Sequence, residues 1–414
     1  MRRVVITGLG TVNALGVGVR ACWPRMLAGE NGVTPITKFD ASEHTARIEG
    51  AVHWDIDEHF SGSDRRKLDP FTMFALVSTR EALADAGLGD IRELPEEVRE
   101  RFGAILGTGI GGITGILAQE AVYVERGARR VSPHFVPRIM ANAVSGQVAI
   151  AHGLLGTVFT TSSACASSGH AIGVAFQSIR HGESDLIVTG GAESSTTALA
   201  LAGFCSAKAV STRNEEPELA SRPFDKDRDG FVMGEGCGIL VLEEFEHAKA
   251  RDATIYAEVK GYGSTDDAHH ITAPREDGAG PSRAMLLALK QGGIDAEAVD
   301  YINAHGTSTP YNDAIETRAI RKTFGEHADS LMVSSTKSMI GHCLGASSAV
   351  ELVATAMSIH EGAVHPTRNY TTPDPECDLD YIPGEARNLI VRNALSNSLG
   401  FGGHNVSLLI GQLD

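Results

Sequence analysis

Phe102-Gly103-Ala104-Ile105-Leu106-Gly107-Thr108 and Val299-Asp300-Tyr301-Ile302-Asn303-Ala304-His305-Gly306-Thr307 are both short apolar runs that open into glycine and a hydroxyl residue. Each reads as a buried strand whose carboxyl end becomes a loop. The likeness extends outward from both at an offset of about 200 residues, too long a period for a solenoid. Upstream lie the helix-like stretches 70–88 and 282–294, each finishing at a glycine suited to a left-handed C-cap. Downstream, each copy continues with a Ser/Thr-rich strand end, a helix, and a strand into a glycine turn: 159–164, 165–181 and 185–191, then 331–335, 345–360 and 393–403. The same order twice predicts an α/β fold of two pseudo-duplicated halves with layered sheets. In such folds chemistry collects at the carboxyl ends of strands.

The chain of 414 residues is long enough to bury a large core, and its net charge of −16 excludes a broad attraction to nucleic acid or anionic membrane. Hydrophobic residues at 42% and charged residues at 21% exclude bulk disorder, and no apolar run reaches the ~18 residues of a membrane span. Six cysteines without a CxxC pair suggest neither a disulfide framework nor a zinc site, so a reducing, cytoplasmic setting is expected. Val4-Val5-Ile6-Thr7-Gly8 reads as a first strand, since Asn13 and several glycines interrupt any secretory leader. From Ile139 to Ile179 no Asp, Glu, Lys or Arg occurs, which predicts a buried region. Residues 205–235 read as a charged, mobile insertion in a first half spanning 1–254, with 255–414 as the second half.

Cys165 stands in Thr160-Thr161-Ser162-Ser163-Ala164-Cys165-Ala166-Ser167-Ser168-Gly169, between an apolar strand and a helix. A thiol there meets the positive helix end, which favours thiolate and supplies N–H groups to a developing oxyanion. His305 sits at the end of its strand, facing a cleft, and His342 precedes another helix. Lys337, among hydroxyl and glycine neighbours, reads as folded inward and in need of an acid; Glu351, on an otherwise apolar helix, is the candidate. In Gly400-Phe401-Gly402-Gly403 the glycines let backbone approach a ligand and let the aromatic swing.

Cys165, the Asn-Ala-His-Gly-Thr-Ser-Thr run at 303–309, the 337–342 block and Gly400-Phe401-Gly402-Gly403 together resemble the β-ketoacyl-acyl-carrier-protein synthases of the elongating type II kind, across nearly the whole chain. The resemblance implies a thiolase-like fold, an α-β-α-β-α sandwich in which Cys165 from one half meets His305 and His342 from the other. It implies that Cys165 accepts the acyl group. The two histidines hold malonyl thioester and promote loss of carbon dioxide, and the Cys165 and Phe401 N–H groups form the oxyanion hole. Lys337 with Glu351 tunes the site, and Phe401 gates it. Ile110, Phe204 and Asp313 are implied on the substrate side, and Arg66, Lys67, Arg129, Arg130 and Lys208 as basic contacts to acyl carrier protein around the cleft mouth. A homodimer, no required cofactor, and a structural potassium or sodium ion near Asn303, Glu351, Ser396 and Asn397 complete the expectation.

The chain departs from the family pattern at His404, Leu399, Ser347-Ser348 and Ser167-Ser168, which leaves a ketosynthase of a specialised or polyketide pathway as the alternative. A papain-like cysteine hydrolase shares the spacing of 140 residues between Cys165 and His305 but carries a local Cys-Gly-Ser/Ala-Cys motif that is missing here. A non-catalytic chain-length scaffold is expected to lack the thiol.

Overall fold

The computed structural model describes residues 1–413; Asp414, the last residue of the expected second half, lies outside them. Leaving aside two-residue pairings, the first half contributes β1 (Val4–Asn13), β2 (Phe102–Gly107), β3 (Val158–Thr161), β4 (Leu186–Glu193) and β5 (Gly236–Glu244). The second contributes β6 (Ala257–Asp266), β7 (Tyr301–Asn303), β8 (Met332–Ser334), β9 (Asn393–Gly400) and β10 (His404–Gly411). Spatial order is β3-β2-β4-β5-β1 in one and β8-β7-β9-β10-β6 in the other. In both, the first three strands run parallel and the next two pairings are antiparallel. The duplication faintly visible in the sequence is therefore complete in order and direction. A short antiparallel pairing of Val4–Ile6 with 257–259 joins the two sheets.

Helices complete the layers. α1 (Pro70–Asp85) and α2 (Ala143–His152) cover one face of the first sheet. Between the sheets lie α3 (Ser167–Arg180) and α6 (Ser347–Glu361), which pack on each other and on strands of both halves. α4 (Ala279–Gly292) and α5 (Pro310–Phe324) cover the second sheet from outside. From Ser347 to Ile359 every residue of α6 is buried, the signature of a helix enclosed on all sides. Such close layering needs strands without side chains where the helices touch. A Cβ on Gly107 would lie 2.4 Å from the Ser167 carbonyl carbon, and one on Gly238 would lie 2.4 Å from that of Ala349.

Two expectations change. The uncharged run 139–179 is not wholly interior: β3 is an edge strand, and Ile150, Leu155 and Phe159 are exposed. Apolar composition cannot distinguish a core from a surface that awaits a partner. The charged insertion is packed in rather than loose, because its ions find partners in the second half. Arg228 donates to the carbonyls of Thr309 (3.2 Å) and Pro310 (3.0 Å), and Asp225 accepts from the N–H groups of Thr371 and Thr372 (2.7 Å each).

Candidate active site

Cys165 occupies the turn between β3 and α3. Ala164 before it has φ +50°, a left-handed conformation uncommon for a residue with a side chain. Ser167 holds the turn: its hydroxyl donates to the Ala164 carbonyl (2.6 Å) and accepts from the Ser163 N–H (2.8 Å). The sulfur is buried, and the N–H groups of Phe401 and of Cys165 itself are directed at it. Burial pushes the thiol up to about 11 despite the pull of the Lys337 charge and those two N–H groups. The resting group is a thiol. The thiolate expected from the helix end does not prevail, because desolvation is the largest influence.

The acceptor for its proton is in place. His342 Nε2 lies 3.1 Å from Cys165 Sγ, although 177 residues separate them. The His305 ring stands edge-on to His342, with 5.3 Å between centroids. Burial first, and then the Lys337 charge, hold both imidazoles well below their ordinary value, so both are neutral near pH 7. Glu316 of α5 fixes the backbone that presents His305, accepting from the His305 and Gly306 N–H groups at 2.8 Å each.

Lys337 is enclosed completely and spends its protons on three acceptors: the His305 carbonyl (2.7 Å), His305 Nδ1 (3.3 Å) and the Glu351 carboxylate. An ammonium has only protons to give. His305 Nδ1 therefore accepts, and Nε2 carries the ring proton toward the cleft. Burial pushes Glu351 up to about 7, with the Lys337 charge pulling the other way. Among the described residues Glu351 Oε2 and Ser396 Oγ are buried without a hydrogen-bond partner. Nearby, Asn303 donates to Thr336 Oγ1 (3.0 Å), while the Asn397 side-chain carbonyl accepts from Ser407 (2.8 Å).

These groups open on a cavity of about 520 Å³ whose lining includes Cys165, His305, His342, Ile110, Phe204, Phe401 and Lys208. Both halves contribute, and Leu344 and Leu399 add apolar wall. Asp313 is a correction. It lies off the cleft, fully buried, where it accepts from the N–H groups of Thr307 (3.0 Å), Ser308 (3.1 Å) and Phe224 (2.8 Å) and braces the loop behind His305. Arg66, Lys67, Arg129 and Arg130 are exposed but outside the lining, so only Lys208 of the five expected cations stands at the cleft wall.

Sequence reading missed Glu193, Glu316 and Ser347. Glu193 receives the N–H groups of Gly109 (2.6 Å), Ile110 (3.3 Å) and Gly345 (3.1 Å), tying the loop of Ile110 to the entry of α6. Its one signal was a carboxylate closing the apolar run of β4. Glu316 is a second acid on the face of Asp313, and Ser347 stands out in sequence only as a departure from the family pattern.

Residues 1–248 match the family described as "Beta-ketoacyl synthase, N-terminal domain" and residues 256–371 its C-terminal domain. The chain is 50% identical over 408 residues to a 3-oxoacyl-[acyl-carrier-protein] synthase 2 of Synechocystis sp., covering 98% of this chain and 97% of the other. It is 46% identical over 409 residues to the Staphylococcus aureus protein of the same name, covering 99% and 98%. Among solved structures, a β-ketoacyl synthase from Burkholderia phymatum superposes with TM-score 0.92 at 38% identity, with all of both chains covered. A ketosynthase of a type II polyketide synthase, in complex with its acyl-carrier protein, superposes with TM-score 0.91 at 35% identity, again over the whole of both chains.

Proposed function

The chain belongs to the β-ketoacyl synthase family, and we propose that it condenses an acyl group held on Cys165 with malonyl-acyl carrier protein, as a 3-oxoacyl-acyl-carrier-protein synthase of fatty acid elongation. The observation that carries the reading is the 3.1 Å contact between Cys165 Sγ and His342 Nε2, beside His305 in one cleft. In the first half-reaction the S–H bond breaks as sulfur attacks the acyl thioester carbon. His342 Nε2 takes the proton and returns it to the departing carrier sulfur. The N–H groups of Cys165 and Phe401 hold the oxyanion between these events.

Malonyl carrier then enters. Its C–C bond to the carboxylate breaks, carbon dioxide leaves, and the electron pair becomes an enolate whose oxygen faces His305 Nε2–H and His342. The enolate carbon attacks the acyl-Cys165 carbonyl, the new C–C bond forms as the C–S bond breaks, and the departing sulfur takes one proton from water in the cleft to become the thiol again. Neutral imidazoles suit this step, since a buried imidazolium is costly here and an N–H donor is sufficient. Ile110 and Phe204 bound the acyl chain, and Phe401, exposed between Gly400 and Gly402, gates entry.

Carrier protein docks through Lys208 at the cleft, with Arg66, Lys67, Arg129 and Arg130 on the surrounding surface. A second copy covers β3, whose unpaired edge and exposed Phe159 and Ile150 lie within an apolar surface. Among the described residues no helix is long and apolar enough to cross a membrane, and all six cysteines are free; the reading places the enzyme in the cytoplasm. No organic cofactor enters this chemistry. The orphaned oxygens of Glu351 and Ser396 suit a hard monovalent cation near Asn303 and Asn397, which would offset the buried carboxylate.

The test is the intact mass of the protein after incubation with a panel of acyl-carrier thioesters. A shift equal to the acyl group, lost in Cys165→Ser, supports the reading, and the preferred acyl length identifies the substrate. Acylation that persists in Cys165→Ser at the wild-type rate overturns it.

A further inference from the structure

The two active-site histidines have different partners at Nδ1. At His305 it is the Lys337 ammonium, which can only donate. At His342 it is the Ser347 hydroxyl, 2.8 Å away, and neither atom has another hydrogen-bond partner among the described residues. Both side chains are almost wholly buried, at 2% and 3% exposure, so water does not substitute for a lost contact. The ring is also pinned edge-on by Phe231, 5.4 Å between centroids, which means that the hydroxyl is not needed merely to stop the imidazole from turning.

A hydroxyl can accept or donate. We infer that Ser347 is a positioning residue that serves both tautomers of His342, an inference that rests on the condensation reading above. When Nε2 must take the Cys165 proton, Nδ1 carries the ring proton and donates to Ser347 Oγ. When Nε2–H must face the enolate oxygen, the hydroxyl rotates and donates to Nδ1. Proton balance is kept in each half-reaction. The thiol proton passes through Nε2 to the carrier sulfur; in decarboxylation Nε2–H shares its proton without losing it, and the Cys165 sulfur freed by condensation takes its proton from water in the cleft. Between the two, a transient opening that admits water to the ring exchanges the Nδ1 proton for one on Nε2, after which the closed site again excludes water. His305, facing a donor that cannot reverse, stays in one tautomer throughout. Its role is confined to donating, whereas His342 alternates.

The experiment uses the full chain labelled with 15N-histidine, as wild type, Ser347→Ala and Ser347→Thr. Acylation is followed by mass, and carbon dioxide release from malonyl carrier is followed separately in a Cys165→Gln background. Ser347→Ala should slow each half-reaction about tenfold, the equivalent of one hydrogen bond to a buried nitrogen, with KM for the carrier unchanged. The His342 Nδ1 resonance should move to the position of an unbonded nitrogen while that of His305 stays. Ser347→Thr, which keeps the hydroxyl, should restore rates and resonance together. Wild-type rates in Ser347→Ala, or a rate loss with unmoved His342 signals, overturns the inference. If wild type neither acylates nor decarboxylates, the condensation reading fails instead, and the nitrogen resonances still decide whether Ser347 holds Nδ1.

Discussion

The entries to α3 and α6 are the same backbone turn made twice. Ala164-Cys165-Ala166-Ser167-Ser168 in one half answers Leu344-Gly345-Ala346-Ser347-Ser348 in the other. Ala164 and Leu344 have φ of +50° and +45°, and the cap residues Ala166 and Ala346 have φ of −89° and −87°. What stands on the turn differs. The first presents a thiol to a cavity. The second presents nothing, because a Cβ on Gly345 would lie 2.1 Å from the Gly109 nitrogen and 2.7 Å from Glu193 Oε2. The serines diverge in the same way: Ser167 closes its own turn, whereas Ser347 reaches His342. Two equivalent platforms thus differ in what they carry: one presents the thiol, and the other seats the loop of Ile110 and the histidine beside that thiol.

The largest effect that can break this comparison concerns the thiol. If burial governs Cys165, its alkylation by iodoacetamide should climb about tenfold per pH unit from neutrality and level only near 11. A raised value means that thiolate is scarce below it, so the sign is a rising curve through the whole neutral range. A plateau near pH 7 would show that the helix end dominates, as the sequence alone suggested. Next in size is Gly345→Ala. Forcing a methyl group against Gly109 and Glu193 should cost about 3 kcal/mol in a urea titration and displace the Ile110 loop. Unchanged stability would mean that the second turn has room to spare and that its emptiness is incidental. The smallest concerns the link between platforms. Ser168 Oγ accepts from the Ala349 N–H at 3.1 Å, so Ser168→Ala should cost about 1 kcal/mol, read as a shift in the urea midpoint, with Cys165 acylation retained.

Much of this was legible in the chain. The strands at 102–108 and 299–307 announce the repeat, since each is an apolar run that opens into glycine and a hydroxyl residue. Cys165 and His305 are conspicuous because each sits where a strand gives way to a loop, and His342 because it stands just before a helix. Lys337 with Glu351 was also readable, as two opposite charges set among residues too apolar or too small to solvate them. Asp313 was not. A carboxylate that accepts backbone N–H groups behind a loop looks, in sequence, like one that faces a ligand. The state of the thiol was hidden for a related reason: the position of a helix end can be read locally, but the depth of burial depends on α6 and β9, more than 180 residues away. β3 was misplaced because an edge and a core share one composition.

The separation of 177 residues between the Cys165 thiol and the His342 imidazole it touches has a consequence for how the protein is made. At roughly 5–20 residues per second, a ribosome releases Cys165 some 10–35 s before His342 has been synthesised. During that interval α3 has no α6 to pack against, so the central layer of the sandwich is missing and the first half is left as an open sheet. The cleft closes around the sulfur only when the last strands, β9 and β10, have been delivered. The pocket around Cys165 is therefore complete only once β9 and β10 have been made.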